Sequence, residues 1–123
     1  RERDFDVEFG TLNNLSADDK RALIEENKET IMGWMIPDYS RGISISNNYV
    51  CEKDGYVVQI SSGSGNDAVA QLYVDGILVS TTVTRAPYNQ EATASAFVSK
   101  GSVVTYGATK FKSITFYPLK GAN

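Results

Sequence analysis

The chain has 123 residues, 41% hydrophobic and 22% charged, which is typical of one globular domain with a short appended segment. Its net charge of −3 supplies no basic field for a nucleic-acid backbone, and no stretch approaches the ~18 consecutive apolar residues of a membrane span. The absence of histidine excludes Ser-His-Asp and Cys-His catalysis and every histidine-containing metal site. A pair of carboxylates could still catalyse hydrolysis, but the acidic residues of the second domain accompany turns, and we expect a non-enzymatic protein without cofactor, metal, nucleic-acid partner or membrane insertion.

The first 33 residues differ in composition from the rest. More than half of the 15 acidic residues precede Gly33, whereas Ser, Thr, Val, Tyr and Gly dominate after Pro37. We expect residues 1–33 to form a connector and residues 34–123 a second domain. Ser16 with the two aspartates that follow it predicts the start of one helix, over about residues 17–30. Its apolar stripe is too narrow for an isolated helix, so it packs either on its own domain or as a neck between copies.

After Pro37 the apolar residues alternate with a period of two, in about eight short runs. Asp75-Gly76 lies between two such runs and predicts a tight hairpin, because both turn positions need positive φ. Asp54-Gly55 and Ser99-Lys100-Gly101 mark further turns. The spacing indicates a mainly β fold with a short N-terminal helix: an antiparallel β-sandwich, jelly-roll-like.

Several residues that can carry chemistry have a structural explanation. Residues 63–68 match a dinucleotide fingerprint, yet a strand pattern follows where that fingerprint requires a helix, so we predict a connecting loop. Cys51 is predicted to be a small buried apolar residue. Asp54, Asp67 and Asp75 accompany turns, where aspartate bonds to its own backbone, and calcium bound by some of them is the alternative.

Two polar loops are the best candidates for recognition. The segment 85–91 combines an arginine, an aromatic ring and amides, which can stack on sugar faces and bond to hydroxyls, although such residues also occur in plain connections. The glycine-rich loop that precedes it in the chain adds the carboxamide of Asn66 and the carboxylate of Asp67. The candidate ligand-binding residues are Asn66, Asp67, Arg85, Tyr88, Asn89 and Gln90.

The two ends of the second domain carry motifs that are moderately specific. They are Pro37-Asp38-Tyr39-Ser40-Arg41-Gly42 and Phe116-Tyr117-Pro118-Leu119-Lys120-Gly121, with the Asp-Gly turns between them. Through these motifs residues 34–123 resemble the C-terminal receptor-binding tip domains of tailed-bacteriophage and prophage tail fibres. The resemblance carries no catalytic motif, and no ligand residue transfers because the loops vary.

What the resemblance implies is a homotrimer at the tip of a virion fibre or prophage-derived particle, acting extracellularly on a bacterial surface glycan or protein receptor. A C1q/TNF-like jelly roll is a matching analogy of fold. Two alternatives remain open: a C-terminal trimerisation or folding module of a longer fibre or depolymerase, and a carbohydrate-binding module of a secreted enzyme. The latter requires an exposed row of aromatic rings, which Tyr73, Tyr88 and Tyr106 do not obviously form.

Overall fold

A computed structural model describes residues 15–62, 67–85 and 91–122. The chain divides into two compact units, Arg1–Trp34 and Met35–Asn123. In the described part of the chain, no helix has the length and apolar character needed to cross a membrane.

The described part of the first unit, from residue 15 onward, contains two helices, α1 (Ala17–Glu26) and α2 (Lys28–Trp34). Ser16 caps α1 as predicted, because its hydroxyl accepts a hydrogen bond of 3.1 Å from the backbone N–H of Asp19. The prediction of one continuous helix over residues 17–30 is wrong. Asn27, with a φ of −110°, separates the two helices. Its backbone N–H makes the usual helical bond to the carbonyl of Leu23 at 3.1 Å, and its side-chain amide donates to the same carbonyl at 2.9 Å. This side-chain bond competes with the helical backbone for an acceptor, as is typical of asparagine where a helix is interrupted.

The second unit is a sandwich of two four-stranded antiparallel sheets, which confirms the predicted fold class. The order is β1–β8–β3–β6 in sheet 1 and β2–β7–β4–β5 in sheet 2, the strand order of an eight-stranded jelly roll. A short 3₁₀ turn, Tyr39–Arg41, precedes the strands. The strands are β1 (Ile43–Ser44), β2 (Tyr49–Val50), β3 (Gly55–Ser61), β4 (Ala68–Val74), β5 (Ile77–Thr84), β6 (Ala92–Val98), β7 (Val103–Thr109) and β8 (Phe111–Pro118).

The chain turns at all three predicted places, but only one of these turns is a hairpin, because the other two cross from one sheet to the other. Asp75 and Gly76, with φ of 51° and 81°, join β4 to β5 in the expected tight hairpin. In the turn between β6 and β7, the N–H of Ser102 donates to the carbonyl of Ser99 at 3.0 Å, and Gly101 has a φ of 90°. Asp54-Gly55 makes no hairpin, because it lies where the chain crosses from β2 in sheet 2 to β3 in sheet 1.

These connections gather at two opposite ends of the sandwich. The segments 51–54, 75–76 and 99–102 form what we call the turn end. At the opposite end, which we call the loop end, lie Lys110 between β7 and β8 and the described residues that border two further connections, Ser62 and Asp67 for the first and Arg85 and Glu91 for the second. The connection from β1 to β2 turns back before the loop end, since the Asn47 carboxamide oxygen accepts from the backbone N–H of Tyr106, in the middle of β7, at 3.0 Å.

The core lies between the two sheets and changes in character along the strands. Its large apolar side chains, among them Val57, Leu72, Val104 and Phe116, lie toward the turn end. Toward the loop end most of the buried residues are small or polar, namely Ala68, Ala70, Ala92, Ala94, Gln59 and Ser61, and Ile114, which pairs with Gln59, is the large apolar exception. The large apolar side chains of the core are therefore concentrated toward the turn end.

Candidate ligand-binding end of the sandwich

Hydrogen bonds tie two connections of the loop end together. The backbone N–H of Ser62 donates to the carbonyl of Lys110 at 2.7 Å. The Thr109 hydroxyl accepts from the backbone N–H of Val69 at 2.9 Å and donates to the carbonyl of Asp67 at 3.3 Å. The chain from β3 to β4 is thus anchored to the crossing from β7 to β8 at both of its described edges.

An ion pair joins the two loops that the sequence singled out. The Arg85 guanidinium (Nη1) lies 2.9 Å from the Asp67 carboxylate (Oδ2), and the two side chains are 77% and 45% exposed. A surface pair of this kind contributes at most about 1 kcal/mol to folding, so its main effect is to orient two groups that a ligand can reach. These two predicted site residues come together. The other four, Asn66, Tyr88, Asn89 and Gln90, lie outside the described residues.

A second ion pair at the loop end was missed by the sequence analysis. The Lys112 ammonium of β8 pairs with the Glu91 carboxylate, directly before β6, and both side chains are about half exposed. The two residues are distant in the chain, and only the shared end of sheet 1 brings them together. The loop end therefore presents exposed carboxylates and cations, which are strong donors and acceptors for ligand hydroxyl or amide groups.

The glycine-rich residues 63–66 of the fingerprint-like match lie outside the described residues. Ala68, its last residue, begins strand β4, so the match is followed by a strand and not by the helix whose N-terminus a pyrophosphate would need.

The two aspartates at the turn end, Asp54 and Asp75, stabilise the fold through hydrogen bonds to the backbone. The Asp54 carboxylate accepts from the backbone N–H of Lys100, and the Asp75 carboxylate accepts from that of Val103, both at 2.8 Å. Both acids were expected to bond to their own turns, but they bond to a neighbouring turn and so hold the turn end together. Asp67 lies at the opposite end, so these three aspartates cannot share a calcium ion. No group of three or more metal-ligating side chains that could hold an ion occurs within residues 15–62, 67–85 and 91–122.

The sandwich begins and finishes at the turn end. The backbone N–H of Asp38 donates to the carbonyl of Pro118 at 2.8 Å, and that of Lys120 donates to the carbonyl of Ile36 at 2.9 Å. The Asp38 carboxylate accepts from the Ser40 hydroxyl, a hydrogen bond that lowers the pKa of Asp38. The first residues of the sandwich therefore lie at the end opposite the loop end.

Cys51 is a buried thiol, as predicted. It is 2% exposed, and burial, with a further contribution from the Asp75 charge, raises its pKa to about 11. Burial and the neighbouring Glu52 carboxylate also raise the pKa of Tyr49. The Cys51 thiol is therefore protonated at neutral pH and is not a nucleophile.

We expect the raised thiol pKa to make the sandwich less stable at alkaline pH. The folded chain keeps this proton up to about pH 11, whereas the unfolded chain loses it near the ordinary thiol pKa of 9.0. Stability is therefore fully present below pH 9 and falls by about 2–3 kcal/mol as the pH rises to 11. Urea unfolding between pH 8 and 10.5 measures this loss. Cys51→Ala should show a shallower decline, and an equal decline in both proteins would contradict the assignment.

Comparisons with known proteins add little. No protein-family model and no curated protein matches the chain. Among solved structures, it is similar to a β-glucosidase from Paenibacillus barengoltzii, with 12% identity and a TM-score of 0.33, over 66% of this chain and 10% of that one. The match spans a tenth of the glucosidase, and a likeness this distant says nothing about activity here.

Proposed function

We propose that this chain is the non-enzymatic receptor-binding tip of a phage-type tail fibre, a homotrimer that binds a bacterial surface glycan or protein through the loop end. The observation that carries the proposal is the position of the two described residues that border the polar loops. Asp67 and Arg85, which border them, meet at the end opposite Met35, where the sandwich begins. A tip attached through its N-terminal side presents this end to a surface.

The distribution of charge supports an assembled form. Lys112 is the only charged residue in the eight described strands, and the other charged residues of the sandwich lie in its connections and terminal segments. Sheets whose outer faces meet water usually carry polar and charged side chains there. Large apolar side chains such as Val83 and Val50 are instead about half exposed. Neighbouring copies would cover such faces and leave the charged ends free.

A trimer also suits the weak contacts expected at the loop end. Each protomer contributes one Asp67–Arg85 pair and one Glu91–Lys112 pair, so three copies of the site face the same direction. Linked copies raise the effective concentration of each site, and modest affinities for single sugars then combine into stable attachment.

Binding by loop variants tests the site. We expect Arg85→Ala to weaken binding to an array of bacterial surface glycans and to whole bacterial cells by about tenfold or more, because it removes a charged donor worth about 1.5–3 kcal/mol. Tyr88→Ala tests the neighbouring loop in the same way. Lys100→Ala, which removes an exposed cation at the turn end, is the matched control and should bind like the original chain. Equal binding by all variants would refute the loop assignment.

The alternative hypothesis, that the chain is a C-terminal trimerisation or folding module of a longer fibre or depolymerase, predicts a different result. Deleting the sandwich from the parent chain would then abolish soluble trimer, while an assembled fibre would keep its host range after the loop end is altered. One observation bears on the carbohydrate-binding module: a row of aromatic side chains does lie on an outer face, formed by Tyr56, Phe97 and Tyr117 rather than by the tyrosines considered from the sequence.

A further inference from the structure

Two buried polar atoms near the loop end have no hydrogen-bond partner within the described residues: the Gln59 carboxamide oxygen (Oε1) and the Ser61 hydroxyl oxygen (Oγ). Both residues lie on the inward face of β3, and both are 0% exposed. Buried polar groups in native proteins are almost always hydrogen-bonded, because a group without a partner loses the bonds that it makes to water in the unfolded chain. Two such groups, two residues apart on one face of a strand, are therefore candidates for contact with a ligand.

The Gln59 side chain is held in place by the opposite sheet. Its amide nitrogen (Nε2) donates to the carbonyl of Gly107 in β7 at 3.2 Å. A carbonyl only accepts, so the NH₂ group must face it and Oε1 is left for another donor. The two unpartnered atoms thus present an acceptor and a hydroxyl, which together suit the binding of an O–H group.

A stacked pair of aromatic rings lies next to these atoms. Phe111 of β8 is the cross-strand partner of Ser61, and such partners direct their side chains to the same face of a sheet. Its ring stacks on that of Tyr106 in β7, with centroids 4.7 Å apart and an angle of 19° between the planes. Phe111 is 45% exposed and Tyr106 is half-buried, so the stacked pair lies at the border between the buried polar atoms and solvent.

The side of the sandwich next to the stacked pair is open. β1 pairs with β8 only at Thr115 and Phe116, and β2 pairs with β7 only at Val103 and Val104. Neither short strand reaches the level of the two rings, so within the described residues no strand pairs beside them. The rings can therefore rotate outward without displacing a strand.

Small side chains flank the polar atoms on their other side. The residues of β6 that pair with Gln59 and Ser61 are Ala94 and Ala92, and both are buried. Because alanine has a short side chain, an entering group can approach the two polar atoms closely.

We propose that Gln59 and Ser61 form the inner end of a binding site for a small neutral molecule with hydroxyl groups, such as a single sugar, which enters when the stacked pair rotates outward. Small-molecule sites combine apolar and aromatic walls with a few polar groups, and this part of the core supplies both. The buried polar residues of the described chain are Gln59 and Ser61, neither of which is charged, so a neutral ligand fits better than an ion. The proposal rests neither on the trimer nor on the Asp67–Arg85 pair.

Thiol labelling tests the opening of the stacked pair. Ser61→Cys places a thiol beside Phe111, and the native Cys51, buried at the turn end, is the internal control because it reacts only when the sandwich unfolds. We expect the introduced thiol to react with maleimide at least about tenfold faster than Cys51. Phe111→Ala should raise the rate of the introduced thiol more than that of Cys51. Circular dichroism checks that the variants remain folded.

Binding is tested by NMR titration of the whole chain with glucose, galactose and N-acetylglucosamine. We expect at least one of them to shift the amide signals of Ser61, Ala92 and Ala94. The double variant Gln59→Met, Ser61→Ala should weaken that binding by about tenfold or more, because it removes both hydrogen-bonding groups. Ser95→Ala, a serine change on the outer face of β6, is the matched control and should bind like the original chain.

Three results would overturn the inference. Equal reaction rates for the introduced thiol and Cys51 would show that the stacked pair does not open. Early reaction of the introduced thiol without binding of any of the three sugars would show that the pair opens to water alone. Signal shifts confined to the residues that border the polar loops, and unchanged by the double variant, would refute the internal site while supporting the proposed loop site.

Discussion

Gly55→Ala is expected to lower the free energy of unfolding of the sandwich by about 3 kcal/mol, the upper range of overpacking penalties. A Cβ at this position would lie 2.4 Å from the Phe116 ring (Cζ) and 2.6 Å from the carbonyl oxygen of Tyr117. The ring is 3% exposed, and the carbonyl belongs to β8, the neighbouring strand in sheet 1. Neither group can move without disturbing the core, so the strand must shift.

Urea unfolding of the sandwich, measured in the whole chain, tests this expectation. Gly33→Ala, in helix α2 of the first unit, is the control for a Gly-to-Ala change without steric conflict, because nothing lies within 4 Å of its added Cβ, and it should leave the unfolding of the sandwich unchanged. In a Phe116→Leu background the ring atoms nearest Gly55 are gone, so Gly55→Ala should cost less there. An unchanged cost in that background would place the conflict at the Tyr117 carbonyl alone.

Phe116→Ala is expected to cost about 3–5 kcal/mol, the range for deleting a buried aromatic side chain. Phe116 is one of the large buried side chains at the turn end of the core, where its ring centroid lies 5.5 Å from that of Tyr49. Its removal leaves a cavity between the sheets, and two-state unfolding in urea would show it as a large shift in midpoint. The free energy of unfolding of a native protein is usually about 5–15 kcal/mol, so this substitution would remove much of the stability of the sandwich.

Phe111→Ala in the same strand is the control for Phe116→Ala. Phe111 is 45% exposed and stacks on Tyr106 at the loop end, with ring centroids 4.7 Å apart. Its deletion should cost about 1 kcal/mol, the value of one aromatic pair. Similar losses of stability for the two variants would contradict the concentration of large buried side chains at the turn end.

The features that sequence predicts best in this chain are those set by neighbouring residues. Ser16 caps a helix through the next turn, and Asp75-Gly76 makes its hairpin because both residues accept positive φ. The alternation of apolar residues likewise fixes which side chains of each strand point inward, since that period is a local property. For the same reason the mainly β sandwich could be predicted.

What sequence did not reveal depends on register between distant strands. Tyr56, Phe97 and Tyr117 form the aromatic row only because β3 pairs with β6 and with β8 in one particular register. Glu91 and Lys112 meet through the same sheet. The break at Asn27 was missed for a different reason, because the helical pattern continues on both sides of it.

The hydrogen-bonded entry of the chain has a mechanical consequence. Asp38 and Ile36 are bonded to Pro118 and Lys120, at the end of β8, which lies inside sheet 1 between β1 and β3. We therefore expect tension applied through Met35 to load β8 first, close to where it enters the sandwich and far from Asp67 and Arg85 at the loop end.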